Sequence, residues 1–205
     1  MTFSRKILFQ IIFIPTLTLS VVTCTNYPKN NPVILQESSE QLLAKPPADW
    51  KLIYRLDLPS ARLSDFIPPQ ETVSDWTTKL SFESSRGLVD FDPIEILLAE
   101  VNRDQKKCGF VQHFNLFSGL ENNYPASVRL FLCGENALIN KGEVKMIKAI
   151  AGNDYFYLIR NLKRIEPFDV DKPEFAKAEV AEWSSYIRNI SLCDPGKPEH
   201  PCPGN

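Results

Sequence analysis

Residues 143–162 read EVKMIKAIAGNDYFYLIRNL, and this stretch decides the fold. Two runs rich in β-branched and aromatic residues, Glu143–Ala151 and Tyr155–Leu162, flank the tight Gly152-Asn153-Asp154. Short glycine- and asparagine-bearing connections of this kind join antiparallel strands. The pattern therefore predicts a β-hairpin. Immediately upstream, Phe110–Phe117 and Ser127–Cys133 flank a polar turn holding Gly119, Asn122, Asn123 and Pro125, which reads as a second hairpin centred near Leu120–Glu121.

Working outward, Trp50–Leu58 reads as a strand with Leu52, Tyr54, Leu56 and Leu58 on one face. Ala61–Phe66 continues after Pro59-Ser60, and Pro68-Pro69 breaks the chain. Asp75–Phe82 fits a strand better than a helix, because Trp, Thr and Phe favour a pleated surface. Asp92-Pro93-Ile94-Glu95 starts a helix: Asp92 caps the free amide at the third position, Pro93 suits the first, and Glu95 completes the box. Its apolar stripe is Ile94, Leu97, Leu98 and Val101; Lys106 and Lys107 sit near the negative end, and Gly109 supplies the stop. Asp171-Lys172-Pro173-Glu174 starts another helix, with Ala176, Val180, Trp183, Ile187 and Ile190 as its buried stripe. The predicted fold is α+β: a mainly antiparallel sheet with two helices packed on it, gathered on one face and braced by disulfides. Residues 49–192 make the single domain, and 193–205 a Pro-rich, disulfide-pinned tail.

Composition bounds the function. The chain has 205 residues, a formal charge of −2, 43% hydrophobic and 23% charged residues, an ordinary globular balance. The acidic balance argues against nucleic acid as a partner. Two His exclude mechanisms that need several imidazole ligands.

The first 23 residues read as a signal peptide. Arg5 and Lys6 precede the uncharged Ile7–Val22, which is short and interrupted by Gln10, Pro15 and Thr16. The following Leu19-Ser20-Val21-Val22-Thr23-Cys24 resembles the lipobox of bacterial lipoproteins, with Thr23 where Gly, Ala or Ser is usual. The resemblance implies lipid on Cys24 and anchorage in the cell envelope. Thr25, rather than Asp, after the Cys implies the outer membrane. Ordinary cleavage that leaves Cys24 a free thiol, and an uncleaved anchor, stay open as alternatives. Loss of Arg5 and Lys6 with no acid would move the formal charge from −2 to −4. Residues 24–48 then form a lipidated Cys and a flexible tether with a reach of about 25–30 Å, compatible with one helical turn around Ser39–Lys45.

Five Cys leave four in the domain once Cys24 is set aside. An even set in an exported chain implies disulfides. Cys193 and Cys202 bracket a short Pro-rich loop, and Cys108 and Cys133 bracket the predicted hairpin, so the expected pairs are Cys108–Cys133 and Cys193–Cys202.

Phe66-Ile67-Pro68, Glu71-Thr72 and Trp76 form an element that resembles small exported domains of the PsbP/Mog1/DcrB-like group. That resemblance implies an antiparallel sheet flanked by helices and a binding or accessory role.

Four sets of residues compete as sites. His113 is the one His inside the domain, and a catalytic reading needs an acid or nucleophile beside it. Cys193, Asp194, Glu199, His200 and Cys202 form a ligand-like cluster, but disulfide pairing withdraws its thiolates, so no metal is expected. Asp90, Asp92, Glu95 and Glu100 are explained by helix capping before any acid–base or calcium chemistry. Arg129, Lys145, Lys148, Arg160 and Lys163 make a locally basic region that could bind an anion or a partner. The odd step between Lys145 and Lys148 sends them to opposite faces of a regular strand. The sequence thus predicts a lipid-anchored envelope protein with a binding or accessory role, a protein partner and no cofactor. The alternative is an envelope hydrolase built on His113.

Overall fold

The computed structural model describes residues 38–173 and 177–203. The leader, Cys24, most of the expected tether and Ala176 lie outside the described residues. The strands are β1 (Gln41–Leu43), β2 (Lys51–Leu58), β3 (Ala61–Ile67), β4 (Thr78–Ser85), β5 (Val111–Glu121), β6 (Tyr124–Asn136), β7 (Lys141–Ala151), β8 (Phe156–Ile165) and β9 (Ser191–Cys193). The helices are α1 (Pro93–Cys108) and α2 (Lys177–Asn189). Seven strands form one sheet in the order β2-β3-β4-β8-β7-β6-β5, every pair antiparallel; β1 and β9 form a separate two-stranded ladder.

Two meanders make the large sheet. β2–β4 form one and β5–β8 the other. α1 carries the chain across to the far edge, so that β8 returns to pair with β4 along Thr78↔Lys163 to Ser85↔Phe156. The strand period of two then builds a core on each side. Val144, Met146 and Ile150 of β7 point to one side with Leu130, Leu132, Tyr157 and Ile159, where α2 packs through Trp183 and Ile187. Ile147 and Ala149 point to the other with Phe131, Phe156 and Leu158, where α1 packs through Leu97 and Val101. The two helices therefore lie on opposite faces, not on one. A central strand such as β7, buried at both parities from 146 to 150, has two faces to cover.

Asp92 caps α1, its carboxylate accepting from the Ile94 amide (2.7 Å) at the second rather than the third position. Gly109 ends the helix at φ 64°, a conformation that favours glycine. Asp171 and Lys172 form a turn, and Ile190 lies just past the end of α2, still buried.

Three local expectations change. β5 and β6 run further than expected and meet at a two-residue turn, Asn122-Asn123, both at positive φ (48° and 63°), as tight hairpins require. Cys133 consequently faces Val111, and its disulfide partner Cys108 is the last residue of α1. The expected pair forms, but it ties helix to sheet instead of strand to strand. In β2 an irregularity between Leu52 and Tyr54 places them opposite Phe66 and Asp65, neighbours on opposite faces, so the Leu52–Leu58 stripe is split.

The third change is in the expected tether, because residues 38–48 belong to the fold. Gln41–Leu43 pairs with β9, with no helical turn. The Glu40 carboxylate accepts from the amides of Asn153, Asp154 (3.2 Å) and Tyr155 (3.4 Å) and from the Tyr157 hydroxyl (3.3 Å). A Cβ on Gly152 would meet the Tyr155 carbonyl oxygen at 2.6 Å as well as that carboxylate at 2.7 Å, so the hairpin turn needs glycine there. The segment Cys193–Cys202 is disulfide-bonded as expected. It is also docked: Asn122 donates to the carbonyls of Leu192 (2.9 Å) and Pro201 (3.1 Å), and His200 stacks on Tyr124 with centroids 3.8 Å apart.

Candidate functional site

The five cations singled out by sequence are divided between the two faces: Arg129, Lys145 and Arg160 share the α1 face, Arg129 and Arg160 both level with Ile147, and Lys148 and Lys163 lie on the α2 face. Lys145 and Lys148 do lie on opposite faces. Lys145 pairs with Asp104 of α1. On the same face Arg160 sits between Glu83 (2.5 Å) and Glu100 (3.0 Å), and Glu100 also accepts from Arg103 (2.9 Å). Burial pushes the Glu100 carboxyl up, but Arg160, then Lys145 and Arg103, outweigh it and hold it below the usual carboxylate range. Burial likewise opposes charge on Arg160, and Glu100 and Glu83 more than restore it. On the α2 face Lys163 pairs with Glu179 (2.5 Å).

Lys148 is fully buried. Its ammonium pairs with Glu121 and donates to the carbonyls of Ile190 (2.6 Å) and Ile187 (3.3 Å) at the end of α2. Burial draws its pKa below the usual lysine value, with Glu121 offsetting part of the effect. This lysine closes the negative end of a helix from inside the core.

Arg129 is different. It is 7% exposed, and among the described residues no carboxylate pairs with it. Its Nη1 donates to His113 Nδ1 (2.8 Å), and its Nε has no hydrogen-bond partner. Because guanidinium has no acceptor, the imidazole must accept at Nδ1 and carry its proton on Nε2. Burial first, and the Arg129 charge second, lower the His113 pKa. The half-buried His113 is thus oriented by a cation, where a catalytic triad would orient it with an acid. The hydrolase expectation needed an acid or hydroxyl bonded to this ring, and the described residues place none there.

In the Cys193–Cys202 cluster the cysteines, Asp194 and His200 have structural contacts. Both sulfurs of the Cys193–Cys202 cluster are joined, and His200 Nδ1 faces the Asn122 carbonyl (2.8 Å). Asp194 is buried, accepts from the Gly196 amide (2.8 Å), and is held below its usual range by the Ser39 hydroxyl first, against the effect of burial. Glu143 lies close to the Cys108 and Cys133 sulfurs, but bonded sulfurs offer no thiolate to a metal.

The Phe66–Phe82 element builds a cavity of about 400 Å³ lined by Trp76, Thr77, Ile139, Lys141, Arg164 and Glu166. Glu71 shapes its rim, accepting from Thr77 N (2.9 Å), Thr77 Oγ1 (2.5 Å) and Thr78 N (3.2 Å). Arg164 lies 3.6 Å over the Trp76 ring and its Nε is 3.6 Å from Glu143, while Lys141 pairs with Glu166. Asp75 also lines the cavity, and among the described residues no cation pairs with it.

Sequence reasoning missed Glu40, Glu83, Asp104 and Glu121. Each meets its partner across a long separation (113 residues from Glu40 to Asn153, 77 from Glu83 to Arg160), so no local spacing marks them.

No family model and no curated protein matches this chain. Among solved structures, LpqN of Mycobacterium tuberculosis, described as involved in cell envelope biogenesis, is similar at 14% identity and a TM-score of 0.42, covering 78% of this chain and 86% of that one. Among the described residues no helix is long and apolar enough to cross a membrane.

Proposed function

We propose that this is a lipid-anchored protein of the bacterial envelope with a binding or accessory role, attached through Cys24 and favouring the outer membrane. One observation carries the reading. All four cysteines of the domain are paired with one another, which leaves Cys24 as the odd one, at the end of a basic-then-apolar leader. Disulfides in both pairs suit an oxidising compartment, and multiple acyl chains on Cys24 would hold the domain firmly where one chain would not. The role is read as binding because Arg129, on a sheet face, has no carboxylate partner and His113 is set against this arginine where a catalytic ring would face an acid. Metabolic labelling with a fatty-acid probe tests the anchor: wild type takes up label and Cys24→Ala does not. Equal labelling of the two removes the proposal. Crosslinking and pull-down from intact envelopes then names the protein partner.

A further inference from the structure

Among the described residues, the buried and half-buried cations of the sheet core are mostly matched by acids; Arg129 is not, and neither is Arg86, which instead lies over the Tyr155 ring with its Nε unbonded. Lys148 has Glu121, Lys145 has Asp104, and Arg160 has Glu83 and Glu100. The buried acids of the α1 face, Glu100 and Asp104, are therefore already occupied. A guanidinium withdrawn from water without a counter-charge is costly, and Arg129 has only a neutral imidazole at Nη1 and nothing at Nε. Its surroundings are polar on one side only. Arg129 is opposite Ile147 on β7 and opposite Asn115 on β5. β5 is an edge of the sheet, and Asn115 and Ser118 are exposed there. Ser118 Oγ donates to Asn115 Oδ1 (3.1 Å) and contacts Ser127 Oγ (3.0 Å), so a hydroxyl and amide cluster borders the arginine on its open side.

We infer that Arg129, with His113 beside it, is the anchor of a carboxylate-binding site opening at the β5 edge. The chemistry selects the ligand. The site offers one positive charge, because His113 accepts from the arginine and is neutral; one charge is balanced by a monoanion. The planar guanidinium suits the two oxygens of a carboxylate. The Nε2 proton of His113 and the Asn115 amide supply neutral donors beside it. This inference concerns the folded domain alone and stands whether or not Cys24 carries lipid.

The test uses the full chain in detergent at pH 7, with the imidazole resonances of His113 and His200 as reporters, assigned with His113→Gln. Sodium acetate is titrated against sodium chloride at constant ionic strength. A saturable shift of His113 with His200 unmoved is expected. Arg129→Gln should abolish it, and Arg129→Lys, which keeps the charge without the fork, should weaken binding at least about tenfold. Near-ultraviolet circular dichroism establishes that each variant is folded, and the Lys variant keeps the test valid should the Gln variant not fold. N-acetyl-dialanine, whose carboxylate ends a peptide, separates the two sources: much tighter binding than acetate points to a protein partner's carboxylate, equal binding to a small acid. No His113 shift with acetate, an equal shift in Arg129→Gln, or a response to inorganic phosphate alone would overturn the assignment.

Discussion

Lys148 and Arg129 lie on adjacent strands and on opposite faces of one sheet, and they are treated in opposite ways. Lys148 is surrounded by its own chain: a carboxylate from β5 and two carbonyls from the end of α2. Arg129 receives one neutral nitrogen. Burial alone therefore does not say what a charge is for. Where the chain supplies the acceptors, the charge locks an element in place. Where it does not, the charge is available to something outside.

The α2 face should be the more sensitive of the two, and Trp183 tests this with the largest effect. Trp183 is 7% exposed in the core shared by α2 and the sheet. Truncating a buried aromatic costs about 3–5 kcal/mol, a large share of the roughly 5–15 kcal/mol of a domain. Trp183→Ala should lower the melting temperature sharply or leave little folded protein. A mutant that melts like wild type but loses a partner would make this helix face an interface instead.

Much of this face was readable in advance. The three-and-four spacing of Val180, Trp183 and Ile187 identified the stripe, and both hairpins and both disulfide pairs were visible from turn residues and cysteine spacing. What periodicity cannot supply is which side of a sheet a helix takes. β7 carries apolar residues at both parities (Met146 and Ile150 against Ile147 and Ala149), so the alternation is equally consistent with one covered face or two. It also cannot see a lone strand such as β1, whose three residues pair 150 positions away with β9. Glu40 shows the same limit, since its ligands are backbone amides that have no sequence signature. The basic residues illustrate the converse: their count was legible, but the neutralisation of all but Arg129 depends on acids from β4, β5 and the two helices, brought close only by folding.

The second comparison is direct. Glu121→Ala leaves the Lys148 ammonium buried with two carbonyls but no counter-charge, and should cost about 2–3 kcal/mol, somewhat under the loss typical when one member of a buried pair is removed. Arg129→Met removes a buried charge that has no carboxylate, so in plain buffer it should be neutral or stabilising, on the order of 1 kcal/mol. Urea midpoints at fixed pH measure both. If the two variants are destabilised alike, Arg129 is structurally matched by a group outside those described, and the contrast between the cations fails.

The smallest effect is a pH slope at His113. Burial and then Arg129 lower its pKa from the usual 6.5, so the folded ring holds its proton less tightly than the unfolded one. Between the usual value and the lowered one the unfolded chain binds more protons, and stability must rise with pH. Read the other way, stability is lost as pH falls below the ordinary histidine value, and the loss stops once the pH is below the lowered pKa. Glu100, also lowered, drives a loss in the same direction, but its window starts below the usual carboxylate value of 4.5, well separated from that of His113. Urea midpoints taken between about pH 5 and 7 therefore report the histidine. His113→Gln should flatten that limb completely. Arg129→Met should flatten it only in part, because burial, the larger cause, remains. An unchanged slope in His113→Gln would assign the limb to another group. A slope fully lost in Arg129→Met would mean that the arginine's charge, not burial, sets the imidazole's affinity for its proton.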